Sequence, residues 1–180
     1  MSFDRNRLRD LFATRAILHG DFTLASGKKS TFYINSKLVM FHGESVSLIG
    51  QAFHELTKDL DIQGAGGLEV GALPLTAAFA VARYNEKLPL EGFFVRKQAK
   101  DHGSKQRVEG VLVPGSRVVI VDDVLTTGGS AQQAVEAVEE SGAKVVGVVC
   151  LVDRQAGARE LFEPKYVFRS IFTLKDFGLG

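Results

Sequence analysis

At 180 residues and 45% hydrophobic content, the chain is long enough for one domain with a substantial core, and a formal net charge of +1 gives no general attraction to nucleic acid or to a membrane surface. The opening residues MSFDRNRLRD lack an apolar signal core and no run of about 18 apolar residues occurs, so a soluble, unexported, cytoplasmic protein is expected. The single cysteine, Cys150, excludes an intrachain disulfide framework and a multi-cysteine metal site, and its place in the apolar run 148–151 predicts a buried structural thiol.

In chain order, residues 4–19 read as an amphipathic helix, with Leu8, Leu11, Phe12, Ile17 and Leu18 available for its apolar face. Residues 22–37 read as a hairpin, with Gly27 between two segments rich in strand formers. Gly27-Lys28 is not a nucleotide-triphosphate loop, because Lys29 stands where Ser or Thr is needed and Phe22 where the first Gly should be. A helix over 44–58 follows from the spacing of Val46, Ile49, Phe53 and Leu56. Neither His42 nor His54 has a ligand partner at metal spacing.

The glycine-rich stretch 64–75 is not a dinucleotide fingerprint, since Glu69 stands where G-x-G-x-x-G needs its last glycine. It reads as an anion-binding loop before a helix running from about Pro74 through Ala82, with proline tolerated at the helix start. Leu90 to Val95 read as a buried strand. Residues 96–107 then carry five Lys or Arg against one Asp, a local +4, with no interleaved aromatics for base stacking. A solvated loop and a lid over a polyanionic substrate both fit this run.

The stretch Arg117 to Arg154 is the most informative. The β-branched run 118–121 ends in the acids Asp122 and Asp123, followed by Val124, Leu125 and a small-residue loop Thr126-Thr127-Gly128-Gly129-Ser130. A helical pattern (Ala131, Ala134, Val135, Val138) closes at Gly142, and a second β-branched run spans 145–152. Such a strand–loop–helix–strand unit crosses over right-handed and sets its first loop at the carboxyl edge of a parallel sheet, where ligands bind. Glycines and hydroxyls before a helix suit a phosphate. Two carboxylates would repel that phosphate, unless they face vicinal ribose hydroxyls or a divalent cation. A sugar phosphate satisfies both halves. Arg154, ending the next strand, would emerge at the same edge, where a guanidinium can pair bidentately with a carboxylate or form a surface salt bridge.

Asp122 through Ser130 resemble the phosphoribosyl diphosphate (PRPP) signature of type I phosphoribosyltransferases. The resemblance implies an α/β fold of that type: a central parallel sheet flanked by helices, with a small N-terminal hood. It implies a single domain over 1–180, with the hood mainly from about 1–40 plus a C-terminal segment and the PRPP-binding core at about 41–160. Residues 165–174 would be a last strand of core or hood. F-T-L-x-S-G-[KR]-x-S at 22–30 resembles the hood of the orotate phosphoribosyltransferase family, and Arg96, Lys97, Lys100, His102 and Gly103 match its catalytic loop R-K-x-x-K-x-H-G.

These likenesses imply transfer of phosphoribosyl from PRPP to orotate, giving orotidine 5′-monophosphate and diphosphate in pyrimidine biosynthesis. Lys100, His102, Asp122 and Asp123 would be catalytic. PRPP would be held by Arg96, Lys97, Lys100, His102 and residues 122–130, and orotate by Thr126, Arg154, Tyr33 and Ile34. Mg²⁺ would ride mainly on PRPP, reaching Asp122 and Asp123 through water. A homodimer would share its sites through a lid crossing to the neighbouring subunit. Ala25 and Val70 replace lysines that contact PRPP in part of the family. A purine or uracil phosphoribosyltransferase, and a PRPP-sensing regulatory module, are the alternatives. The hood match and Arg154 weigh against the former, and the intact basic loop against the latter.

Overall fold

The computed structural model describes residues 3–23, 29–98 and 107–179. Helix α1 (Arg5–Arg15) starts on Asp4, whose carboxylate accepts the Arg7 N–H at 2.9 Å. It is shorter than the 4–19 periodicity suggests. Ala16 caps it, and the β-branched and aromatic residues of Ile17–Thr23 form strand β1, paired antiparallel with β2 (Lys29–Ile34). Cross-strand pairing therefore overrides a helical pattern that Ile17 and Leu18 would have prolonged. A short α2 (Lys37–Met40) leads into α3 (Gly43–Thr57).

Residues 64–68 depart from the loop expected of them. They are strand β3 (Gly64–Leu68), fully buried and central in the main sheet. The glycines are there for lack of a side chain. A Cβ on Gly66 would collide with the Phe93 carbonyl, and one on Gly67 with the Val121 carbonyl. Helix α4 (Ala72–Asn85) then opens two residues before Pro74. After β4 (Glu91–Val95) and β5 (Val108–Gly110) comes β6 (Arg117–Leu125), which carries both acids inside the strand instead of after it. Helix α5 (Gly129–Glu140), β7 (Lys144–Asp153), the short α6 (Ala158–Phe162) and β8 (Val167–Thr173) follow, and a 3₁₀ turn (Leu174–Phe177) ends the described chain.

The main sheet has the order β5-β4-β3-β6-β7-β8, parallel throughout except for β5. Alternate residues of β6 feed opposite layers. Val119 and Val121 join Leu8, Phe12, Ile49, Phe53, Leu75 and Phe79 in one core, whereas Val118 and Ile120 join Ala134, Val135, Val138 and Phe162 in the other. Helices α1, α3 and α4 thus cover one face, and α5 and α6 the other. Residues 165–174 resolve as a core strand, β8, while Phe177 behind it stacks on Phe12 of α1 at 5.0 Å.

Candidate active site

Because β3, β4, β6 and β7 run parallel, the chain leaves all four at the same edge. Residues 69–71, 96–98, 126–128 and 154–157 are therefore neighbours in space, and the hood hairpin's exit lies beside them.

Strand β6 brings the acid pair to this edge. Asp122 is buried at 5% exposure, and Asp123 is half-buried. The Ser130 hydroxyl donates to Asp122 Oδ2 at 2.6 Å, and the Asp123 N–H donates to Asp122 Oδ1 at 2.9 Å. Burial, reinforced by the neighbouring Asp123 charge, pushes the Asp122 carboxyl up to about 7; the bond from Ser130 opposes that rise. Asp123 accepts from the Ser36 hydroxyl, in the turn between β2 and α2. Gly71 lies against the pair: a Cβ there would stand 2.9 Å from Asp123 Oδ1 and 3.4 Å from Asp122 Oδ1. The close approach of the 69–71 loop to the acids thus requires glycine. The peptide bond Glu69–Val70 in this loop is cis. Glu69 itself is tied at both ends, its N–H to the Val95 carbonyl at 2.8 Å and its Oε1 to the Lys97 N–H at 3.1 Å.

The 126–130 loop has the backbone geometry of an anion cradle. Gly128 takes the left-handed conformation (φ 88°) immediately before α5. The Gln132 N–H is bonded to the Gly128 carbonyl at 2.9 Å, which leaves the N–H groups of the preceding turn without intrahelical partners. No acidic residue occupies that first turn. A twelve-residue helix therefore presents donors and the positive end of its dipole beside the acid pair, and Thr126 and Thr127 are exposed.

Arg154 is held from both sides. Its N–H donates to the Leu125 carbonyl at 2.8 Å, and the next N–H, of Gln155, donates to the fully buried Asp153 Oδ1 at 2.7 Å. The guanidinium carbon lies 5.8 Å from the centre of the Phe32 ring in the hood. Of the two hood residues singled out by sequence, Tyr33 is exposed and sits 5.7 Å from the Phe22 ring, while Ile34 belongs to the core cluster. Strand alternation separates them, so Phe32, which the sequence reading passed over, is the hood ring beneath Arg154.

The basic segment joins the antiparallel pair β4–β5, so both its ends leave the sheet at the site edge. Its neck is closed by the Arg96 N–H bonded to the Arg107 carbonyl at 2.8 Å, and Arg96 Nη1 lies 3.8 Å from Glu109. Arg96 and Lys97 are thereby placed next to the 69–71 loop. Lys100, His102 and Gly103, and likewise Ala25, lie outside the described residues. Among the described residues, no three His, Cys, Asp or Glu side chains converge as a metal cluster.

Ser36 and Phe32 are the residues at this edge that sequence reasoning missed, whereas Gly71 falls in the stretch 64–75 already read as an anion-binding loop.

The sequence matches the family described as phosphoribosyl transferase domain over residues 67–179. An orotate phosphoribosyltransferase of Rhodopseudomonas palustris (strain TIE-1) is 45% identical, with 98% of this chain and 97% of the relative covered. One of Streptomyces avermitilis is 45% identical, covering 88% of this chain and 87% of that protein. Among solved structures, Mycobacterium tuberculosis orotate phosphoribosyltransferase in complex with PRPP superposes with a TM-score of 0.84 at 37% identity, over 97% of this chain and 99% of that one. Adenine phosphoribosyltransferase from Rhodothermus marinus, at 20% identity, a TM-score of 0.64 and 95% and 100% coverage, shares the fold alone. With a family match over more than half its length and relatives this similar across nearly all of it, the chain belongs to the phosphoribosyltransferase family, within its orotate phosphoribosyltransferase group.

Proposed function

We propose that this chain transfers the phosphoribosyl group of PRPP to orotate in the cytoplasm, releasing diphosphate and orotidine 5′-monophosphate. The observation that carries the reading is the meeting, at one sheet edge, of a backbone phosphate cradle (126–130), an acid pair (Asp122, Asp123) and an arginine over a hood aromatic (Arg154, Phe32).

In this reading the cradle, with Val124 and Leu125 of β6 leading into it, holds the 5-phosphate and the acids accept the ribose hydroxyls. Arg154 pairs with the orotate carboxylate, whose planar geometry suits a guanidinium fork. Thr126 and the hood strand frame the pyrimidine. Tyr33 contributes its exposed ring, and Ile34, its side chain in the core, contributes backbone only.

The chemistry is displacement at the anomeric carbon, with positive charge developing on the ribose as diphosphate departs. No covalent nucleophile is required. The acids fix the sugar as its ring flattens, and Arg96, Lys97, Lys100 and His102 neutralise the leaving diphosphate. Bound Mg²⁺ would supply further neutralisation. The acid pair Asp122 and Asp123 suits a metal held mainly by substrate oxygens and reached from the protein through water. Closure of the 96–107 segment excludes water that would otherwise hydrolyse PRPP.

We further read the enzyme as a homodimer with the lid crossing between subunits. Supporting this, Phe41, Val81 and Tyr84 are strongly exposed, and Val46, Pro74, Ala77, Ala78 and Val81 line an apolar groove between α3 and α4.

The test is a PRPP- and Mg²⁺-dependent assay offering orotate, uracil, hypoxanthine and adenine separately. Turnover of orotate alone is expected. Turnover of a purine without orotate would sink the reading.

A further inference from the structure

We propose that Ser36 is a positioning residue for the reaction, its hydroxyl fixing the Asp123 carboxylate to receive the ribose; this rests on the reading of Asp123 as a ribose ligand. Ser36 is 3% exposed and occupies the position immediately before α2, where a serine ordinarily caps the helix. It makes no such cap. Its hydroxyl instead crosses 87 residues of sequence to donate to Asp123 Oδ2.

The geometry around that bond is restrictive. The Asp123 N–H is tied to Asp122 Oδ1 at 2.9 Å, and Gly71 closes on Oδ1 so tightly that a Cβ would stand 2.9 Å away. Ser36 removes the remaining rotation of the carboxylate. An acid aligned before the ligand arrives loses less side-chain freedom on binding, so the bond appears as PRPP affinity. The serine is itself anchored. It follows Asn35, whose N–H donates to the Ala16 carbonyl at 2.8 Å where the hood strand β2 ends. The hood and the sugar acid therefore share one hydrogen bond, and nothing in the PRPP signature at 122–130 encodes it.

The experiment is a double-mutant cycle on the full chain, reading PRPP affinity by titration calorimetry with Mg²⁺ present, for the wild type, Ser36→Ala, Asp123→Asn and the double variant. A hydrogen bond to a charged group predicts about a tenfold weakening for Ser36→Ala. The double variant is expected to bind no more weakly than Asp123→Asn alone, because the carboxylate that Ser36 aligns for the ribose is already gone in that variant. The orotate KM should stay within about twofold of wild type, since nothing places Ser36 against the base. Fully multiplicative losses in the double variant would overturn the proposal, as would wild-type affinity in Ser36→Ala beside a weakened Asp123→Asn. Unchanged affinity in Asp123→Asn would overturn the ribose assignment itself, and the proposal with it. If Ser36→Ala does not fold, Ser36→Cys, similar in size with a weaker donor, enters the same cycle and should show the same non-additivity.

Discussion

The α-carbon of Gly128 faces the ring of Phe162, so closely that a Cβ would stand 2.8 Å from the ring edge and 3.0 Å from Leu161 Cδ2. The phosphate cradle is thus seated on α6, the helix that follows Arg154. Backbone bonds from Arg154 to Leu125 and from Ala158 to Thr126 (3.2 Å) tie the same two segments. The loop proposed for the sugar phosphate and the arginine proposed for the base are thus joined at one junction.

Gly128→Ala should be costly for two reasons, the left-handed φ of 88° and the clash with Phe162. We expect a stability loss of about 1–3 kcal/mol in urea unfolding, together with weakened PRPP binding. Unchanged values of both would contradict the seating of the cradle.

The apo protein should lose stability as pH rises toward neutrality through Asp122. Its folded carboxyl is raised to about 7, whereas an unfolded aspartate titrates near about 4. A raised carboxyl favours folding while protonated. Its contribution is therefore complete below about 4 and lost as pH climbs through about 7. Asp59 works in the opposite sense: its bonds from Arg169 lower it to about 2, so its contribution is complete above about 4 and fades only in stronger acid. Urea midpoints of wild type and Asp122→Asn, followed from pH 4 to 8, should diverge, with the wild type alone declining through this component. Parallel curves would remove Asp122 as the cause.

Asp153 should matter for orotate more than for PRPP. Its buried carboxylate closes the turn that carries Arg154, holding Gln155 at a φ of 54°. Asp153→Ala should raise the orotate KM about tenfold, and Asp153→Asn, which keeps the accepting oxygen, should restore much of it. A larger rise in the PRPP KM would show that the turn serves the other substrate.

Much of this arrangement is written locally. The 117–154 unit is legible because its β-branched runs, glycines and helical spacing are contiguous, and periodicity reports contiguous burial directly. What failed was non-local. Residues 64–68 read as a loop because four of five lack ordinary strand formers; only the Phe93 and Val121 carbonyls pressing on Gly66 and Gly67 explain them. Ile17 and Leu18 fit a helix until β2 supplies a strand to pair with. Ser36 was invisible for the same reason, since its partner is 87 residues away. Phe32 and Ile34 both alternate with Tyr33 along β2, and only the placement of Arg154 at the end of a distant strand shows which of them meets the guanidinium.

A lid that crosses between subunits, as proposed, would have a consequence that no single-subunit site shares. Lys100→Ala and Asp123→Asn should each be nearly inactive, and mixing the two variants should restore roughly a quarter of wild-type activity, through mixed dimers holding one intact site. Absence of recovery in dimers verified as mixed would place Lys100 on its own subunit's site.

Arg154 is expected to make the edge site selective for orotate, by pairing with the carboxylate that distinguishes orotate from uracil. The most direct test is kcat/KM for both bases in wild type and Arg154→Leu. Strong preference for orotate is expected in the wild type, and a loss of about 10- to 100-fold in orotate kcat/KM in the variant with PRPP affinity little changed. Full retention of orotate kcat/KM in Arg154→Leu would contradict that role of Arg154.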